Sequence, residues 1–339
     1  MRAVVYTETG PPHVLKLMER SDPAPGRGEV LVRVAISGVN PTDWKARRGS
    51  GPGQPLAFPE VVPNQDGAGT VVAAGADVDP ARMGERVWLW EAARHRADGT
   101  AQELVALPAS HAVPLAEGAS FDLGASIGIP ALTAHRCLTV GSGDPNALGP
   151  RALEGRTVLV AGGAGAVGHA AIELAVWSGA NVITTVSSPE KAALALSAGA
   201  HHVANYREQD TEQAVRAAAP AGVDVVVEVA PVPNAALNSS VIAPNGTVSI
   251  YASVPDDLSI AVGPAMTTNT RYQFVLVYTM PATAKEQAVS DVQDAVAAGA
   301  LRVGTEAGLP VHRFPLERTA DAHAAVEGNA VGKVLIDVG

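Results

Sequence analysis

The sequence predicts an α/β protein in two parts: a doubly wound parallel sheet and a β-rich, barrel-like domain. Three observations carry that prediction. An apolar strand enters a glycine turn at Ala161-Gly162-Gly163-Ala164-Gly165-Ala166-Val167-Gly168 and leaves it as a long Ala-rich segment ending at Gly179. After that turn, buried-type strands alternate with helical stretches. Before it, short β-type runs are densely punctuated by Gly and Pro.

Taken in order, Val30, Val32, Val34 and Ile36 alternate with Leu31, Arg33, Ala35 and Ser37, a period of two. Pro23-Ala24-Pro25-Gly26, Gly51-Pro52-Gly53, Gly67-Ala68-Gly69, Gly75 and Gly84 break this region into short strands. From Thr157 the texture changes. Thr157-Val158-Leu159-Val160 precedes the glycine turn, and Asn181-Val182-Ile183-Thr184-Thr185-Val186 follows it. A helix is expected from Pro189 toward Ala198, stopped by Gly199. Val223–Val227 and Thr247–Ile250 are further buried strands, the second entered through a turn at Asn245-Gly246. Thr283-Ala284-Lys285-Glu286 fits a capping box opening a helix, and Gly332–Val338 a final strand.

Composition bounds the function. A chain of 339 residues suits two domains, and 47% hydrophobic content supports a substantial core. The net charge of −10 and the lack of a basic run argue against nucleic acid and anionic membranes as partners. Cys137 is the one cysteine, which precludes an intrachain disulfide and a Cys-rich zinc site and fits a reducing compartment. No uninterrupted apolar run reaches the roughly 18 residues of a membrane span, and the chain enters Ala3-Val4-Val5-Tyr6 directly. The expectation is a soluble, cytoplasmic protein.

Gly163, Gly165 and Gly168 satisfy G-x-G-x-x-G between a strand and a helix start, with Ala164, Ala166 and Val167 completing the turn. Glycines let the backbone approach a pyrophosphate, and free N–H groups at the helix start stabilise its charge. A dinucleotide site is therefore expected here. The next strand indicates which dinucleotide. An NAD site places Asp or Glu at that strand's end, about 20 residues past the glycines, to hold the ribose 2′-hydroxyl. Ser187 and Ser188 stand there instead, with Lys191 one turn on and Tyr206 in Asn205-Tyr206-Arg207. These side chains suit a 2′-phosphate, and NADPH is the expected cofactor. Ser188 also reads as a helix N-cap before Pro189, a compatible role. Glu190 is the one dissonant charge.

Four stretches resemble the medium-chain dehydrogenase/reductase superfamily, and more closely its zinc-free, zeta-crystallin-like quinone oxidoreductase branch. They are Ser37–Asp43, Asp66-Gly67-Ala68-Gly69, Ile127–Ala134, and the glycine turn through Asn205-Tyr206-Arg207-Glu208. The resemblance implies a Rossmann sheet spanning 128–273 and a discontinuous GroES-like catalytic domain of 1–127 and 274–339. It also implies a homodimer or homotetramer. Zinc-dependent relatives carry a cysteine where Asn40 stands and a His-Glu pair where Gln65-Asp66 stand. Amides are poor zinc ligands beside thiolate and imidazole, so no metal is expected. His201-His202 reads as a surface turn and His95 as solvated.

The resemblance also supplies candidate site residues. Asn40 and Asp43 match positions lining the nicotinamide cleft. The Asn40 amide can donate to a carbonyl oxygen gaining charge in hydride transfer, or serve only as an Asn-Pro turn. Lys45 replaces a tyrosine of zeta-crystallin-like proteins and is either a cleft cation or a surface lysine. Trp88 and Trp90 form a flat wall beside Gln65 for a planar acceptor, or pack in the core. Thr133 contacts the nicotinamide carboxamide or caps a helix. Tyr251, Ala252 and Ser253 end a parallel strand, where ligands bind in open α/β sheets. Phe274, Val275 and Leu276 match a nicotinamide-flanking segment. The implied activity is NADPH-dependent reduction of small-molecule quinones or α,β-unsaturated carbonyls without zinc. An enal or enoyl-thioester reductase stays open as an alternative, as does a non-catalytic NADPH-binding sensor or structural protein.

Overall fold

The alternation around Val30–Ile36 is realised as the long strand Glu29–Val39. It lies within the larger β-sheet of a computed structural model that describes every residue except Ser142, Asp144 and Val254. Two compact units are present, Met1–Ile129 with Val311–Gly339, and Pro130–Pro310. Among the described residues, the strands form sheets of two, six and seven.

In the first unit the seven-stranded sheet runs Val311–Pro315, Lys333–Asp337, Glu29–Val39, Asp66–Ala74, Arg86–Leu89 and Ala112–Pro114. Leu104–Pro108 also pairs with Glu29–Val39. Two register shifts interrupt the pairing of Glu29–Val39 with Asp66–Ala74. Such bulges bend a sheet toward a barrel. Gly69 sits between them, where a Cβ would lie 2.0 Å from the Arg33 carbonyl oxygen, so only glycine fits. Val32, Val71, Val87, Leu107 and Ile336 fill the core. One consequence of register matters for the site. Gly38 faces Asp66, and Val39 faces Val334. Asn40, Asp66 and Lys333 are thereby gathered from three neighbouring strand ends.

In the second unit six parallel strands run His202–Asn205, Asn181–Val186, Thr157–Ala161, Val223–Glu228, Ile242–Ile250, Arg271–Phe274. In chain order this is third, second, first, fourth, fifth, sixth, the doubly wound dinucleotide-binding arrangement. Leu159, Ile183, Val226 and Val248 pack in its core. Apolar runs without alternation are what strands buried on both faces require.

Three sequence expectations need correction. The chain returns to the first unit at Val311 and not near 274, because Arg271–Phe274 pairs in parallel with Thr247–Ile250 as the sixth strand of the nucleotide sheet. Asn245-Gly246 does not precede a strand. It lies inside Ile242–Ile250, where Asn245 takes φ 66° beside a register shift. The helix expected from the capping box at Thr283 begins at Ala282 after Pro281.

Candidate dinucleotide and active site

The strand Thr157–Ala161 ends in the glycine turn, and the helix Ala166–Trp177 starts directly after it. Gly162 and Gly163 donate to the Thr185 carbonyl at 3.0 and 3.4 Å, tying the turn to the adjacent strand. Each motif glycine has its own reason. A Cβ on Gly163 would lie 2.2 Å from Thr184 Oγ1, and one on Gly168 would lie 2.4 Å from the Gly162 oxygen. Gly165 is different: it is exposed, and a Cβ there would meet nothing nearer than 3.5 Å. Its lack of a side chain serves what approaches from outside, as a pyrophosphate would. Gly165 is the N-cap and has no side chain to cap with. The first-turn N–H groups of Ala166, Val167 and Gly168 are therefore available to an anion.

At the end of Asn181–Val186 the expected cluster is assembled. Lys191 Nζ donates to Ser187 Oγ at 2.9 Å. Ser188 caps the helix Pro189–Ser197, its Oγ accepting from the Lys191 backbone N–H at 3.3 Å. The dissonant Glu190 is turned onto Ser188, whose hydroxyl holds its carboxyl below the ordinary value. Tyr206 follows the paired residues Asn205 and Val186, its ring exposed and its N–H on the Val186 carbonyl at 3.1 Å. A small nest of donors thus stands where an NAD site would carry a carboxylate.

The remaining second-unit candidates are more dispersed. Tyr251 donates its N–H to the Glu228 carbonyl at 3.1 Å, and burial pushes its phenol up. Ala252 and Ser253 follow it out of the strand. Thr133 is buried in the helix Phe121–Thr139, just past Pro130. Phe274 and Leu276 are exposed, while Val275 between them is buried. Sequence reasoning missed Glu228. It is fully buried at the end of Val223–Glu228, accepting from Asn234 at the N-cap of the helix Ala235–Val241 and from Asn238 within that helix at 2.7 Å. An acid terminating an otherwise apolar strand was the available signal.

In the first unit, Asn40 is the N-cap of the helix Pro41–Arg48, where the sequence offered an Asn-Pro turn. Its backbone N–H donates to Asp43 Oδ2 at 2.7 Å. Asp43 also accepts from the Gln65 backbone N–H, and burial is the main cause raising its carboxyl above the ordinary range. The Asn40 side chain is not idle. Its Nδ2 donates to Asp66 Oδ2 at 2.7 Å and its Oδ1 accepts from Lys333 Nζ at 2.8 Å. The amide expected to be free for a ligand thus has one N–H left, since an Asn side chain carries two donors. Asp66 Oδ1 accepts from the Ile129 N–H at 2.9 Å. Lys333 is 1% exposed and Asp66 0%. Lys333 was missed entirely.

Two first-unit readings left open by the sequence take one of their alternatives. Trp88 and Trp90 are both buried and present no open wall. Trp88 stands in register between Ala68 and Val113, and the helix Phe121–Thr139 closes on it, where a Cβ on Gly124 would lie 3.2 Å from Trp88 Cβ. Trp90 stacks on His111 with ring centroids 4.4 Å apart. Gln65 is half-buried, its Oε1 accepting from the Ala93 N–H at 3.1 Å. Lys45 is exposed, its Nζ 5.8 Å from the centre of the Trp44 ring.

A doubly wound six-strand sheet with this glycine turn, joined to a bulged β unit, defines a medium-chain dehydrogenase/reductase. The comparisons agree. Residues 26–117 match the alcohol dehydrogenase GroES-like domain, and residues 166–294 match the zinc-binding dehydrogenase family. Human quinone oxidoreductase is 32% identical over 347 residues, covering 99% of this chain and 97% of that protein. An NAD-dependent alcohol dehydrogenase structure superposes with TM-score 0.85 at 27% identity, covering 100% of both chains. A mycobacterial protein complexed with NADPH gives 0.80 at 28% identity, covering 99% of each. The chain belongs to the quinone oxidoreductase family of the medium-chain dehydrogenases/reductases. It is an oxidoreductase of a nicotinamide-dependent family.

Proposed function

We propose that the protein is an NADPH-dependent reductase that passes hydride to quinones without zinc. The observation that carries the cofactor choice is the Lys191 ammonium on Ser187 Oγ at the end of Asn181–Val186. A 2′-phosphate accepts from both groups, and a carboxylate there would repel it. The mycobacterial neighbour's NADPH complex supports the same choice.

Bound NADPH supplies the hydride. The protein's residues hold and orient the reactants. The first-turn N–H groups after Gly165 take the pyrophosphate charge, and Ser187, Lys191 and Tyr206 take the 2′-phosphate. The uncommitted N–H of Asn40 is the candidate donor to an acceptor oxygen that gains charge. Solvent supplies the proton. The donor set near Asn40 supports zinc independence. An amide stands where metal-dependent relatives place a thiolate, both ends of it are engaged, and a lysine ammonium touches it.

A panel of quinones, 2-alkenals and enones, followed by loss of NADPH absorbance, tests the proposal. Quinones are expected to support multiple turnovers at the highest kcat/KM. Faster reduction of 2-alkenals or enoyl thioesters would move the substrate class. NADPH binding without turnover on any acceptor would favour a sensor.

A further inference from the structure

We propose that Lys333 is the positioning residue of this centre: its buried ammonium fixes and polarises the Asn40 amide. The inference rests on the proposed role of Asn40 toward the acceptor. Lysine is among the residues least often fully buried, and an unpaired buried ammonium is strongly disfavoured. Here it is 1% exposed, so its partners must compensate.

Those partners are unequal. Nζ lies 2.8 Å from Asn40 Oδ1 but 3.5 Å from Asp66 Oδ2. An ammonium kept only to neutralise Asp66 would close on the carboxylate. This one makes its short contact to the neutral amide. Asp66 then takes the amide's other end, accepting from Nδ2 at 2.7 Å. The opposite assignment of the amide would aim NH2 at an ammonium and oxygen at a carboxylate, so one orientation survives.

Two effects follow for the remaining N–H. The amide is held by charge at both ends and cannot rotate. The cation on its oxygen draws electron density from nitrogen, making that N–H a stronger donor, as linked hydrogen bonds do in a low-dielectric interior. A donor that is pre-oriented and polarised stabilises charge developing in the transition state without reorganising. The register supports this placement, since Val334 faces Val39 and so sets Lys333 beside the strand end that carries Asn40.

A purely structural strut joining three strand ends is the competing account, and kinetics separate the two. Lys333→Met, Lys333→Arg, Asn40→Ala and the Asn40→Ala/Lys333→Met double variant are compared. Turnover is measured with the best quinone per NADPH-titratable site, with melting temperature recorded for each. Lys333→Met is expected to lower kcat roughly 10- to 30-fold, below the roughly 100-fold or more of removing an oxyanion donor outright, because the donor is weakened and not lost. KM and NADPH affinity should stay within about twofold, and Lys333→Arg should recover part of the loss. If Lys333 acts through Asn40, the double variant loses no more than Asn40→Ala alone. Multiplying losses, or normal turnover per site in Lys333→Met, would overturn the inference. If Asn40→Ala costs turnover and Lys333→Met does not, only this inference falls. If the parent reduces no acceptor, the proposed function falls. The Asn40 side-chain amide resonance then decides positioning: a change in Lys333→Met supports it and an unchanged resonance removes it. Should Lys333→Met leave Asp66 too costly to bury, Asp66→Asn/Lys333→Met removes both charges and allows the same resonance to be read in folded protein.

Discussion

Ser187 is the simplest place to test cofactor choice. Its hydroxyl accepts from Lys191 at 2.9 Å with no carboxylate in the pair. NADPH should bind at least about tenfold tighter than NADH, or about 1.4 kcal/mol, the scale of one charge-assisted contact. Ser187→Asp should invert the order by repelling the 2′-phosphate and accepting from the 2′-hydroxyl. Titrating both cofactors against both proteins checks this, and equal affinities in the parent would sink the assignment. This pair was legible in the sequence because its geometry is local. Ser187 stands between the strand end Val186 and the N-cap Ser188, and Lys191 is in the first turn of the helix that follows, so the short stretch of chain between them keeps the pair together. Lys333 was not legible, because it stands 293 residues from its partner Asn40. Only the sheet register joins them. The sequence left the tryptophans open between a cleft wall and the core for a related reason: what covers the face carrying Trp88 is the helix Phe121–Thr139, where a Cβ on Gly124 would lie 3.2 Å from Trp88 Cβ, and a single strand cannot show what packs on it.

Elements followed the sequence wherever periodicity was strong, and departed from it where a turn signal was absorbed by tertiary pairing. Asn-Gly normally ends a strand, yet Asn245-Gly246 is carried inside Ile242–Ile250 as an irregularity, with strands paired on both sides. The helix Thr319–Glu327 supplies a prediction at this scale. It buries His323 completely, and Nε2 lies 2.9 Å from Asn64 Oδ1. Asn64 donates onward to Ser37 Oγ at 2.9 Å, so its oxygen is the end facing the ring and the imidazole donates. Burial, and then the nearby Arg47 charge, pull the imidazole down to about 3 from 6.5. The folded state therefore keeps His323 neutral while the unfolded chain takes up a proton below 6.5. The stabilisation is fully present above pH 6.5 and is lost as pH falls toward 3, by about 1.4 kcal/mol per unit from this group. His323→Gln keeps a donor for Asn64 but cannot titrate. Its melting temperature should fall less steeply than the parent's between pH 6.5 and 5. Parallel curves would show that His323 does not stay neutral in the fold.

At the scale of the whole molecule, the two-part architecture was legible but the point of return was not. An edge strand and a strand of the other unit read alike until pairing is seen, and Arg271–Phe274 pairs with the nucleotide sheet. The inventory of metal ligands is also a property of the whole chain, and it supports the last prediction. The sole cysteine, Cys137, is buried, and burial pushes its thiol up, away from the thiolate that metals require. The buried histidines are engaged elsewhere: His135 on Asp291 at 2.7 Å, His169 on Glu173 at 3.0 Å, His323 on Asn64. Among the described residues no three His, Cys, Asp or Glu side chains are grouped to hold a metal ion. At Asn40 the obstacle is electrostatic as well. A dication about 4 Å from the Lys333 ammonium meets repulsion on the order of 8 kcal/mol at an effective dielectric constant of about 20. Binding there would require Lys333 to lose its proton and Asn40 to give up Asp66. Purified protein should therefore carry substoichiometric zinc by elemental analysis, and prolonged chelation should leave quinone turnover unchanged. Stoichiometric zinc whose removal abolishes turnover, and whose return restores it, would mean that the Lys333–Asn40–Asp66 contacts open to admit metal. Zinc independence would then have to be abandoned.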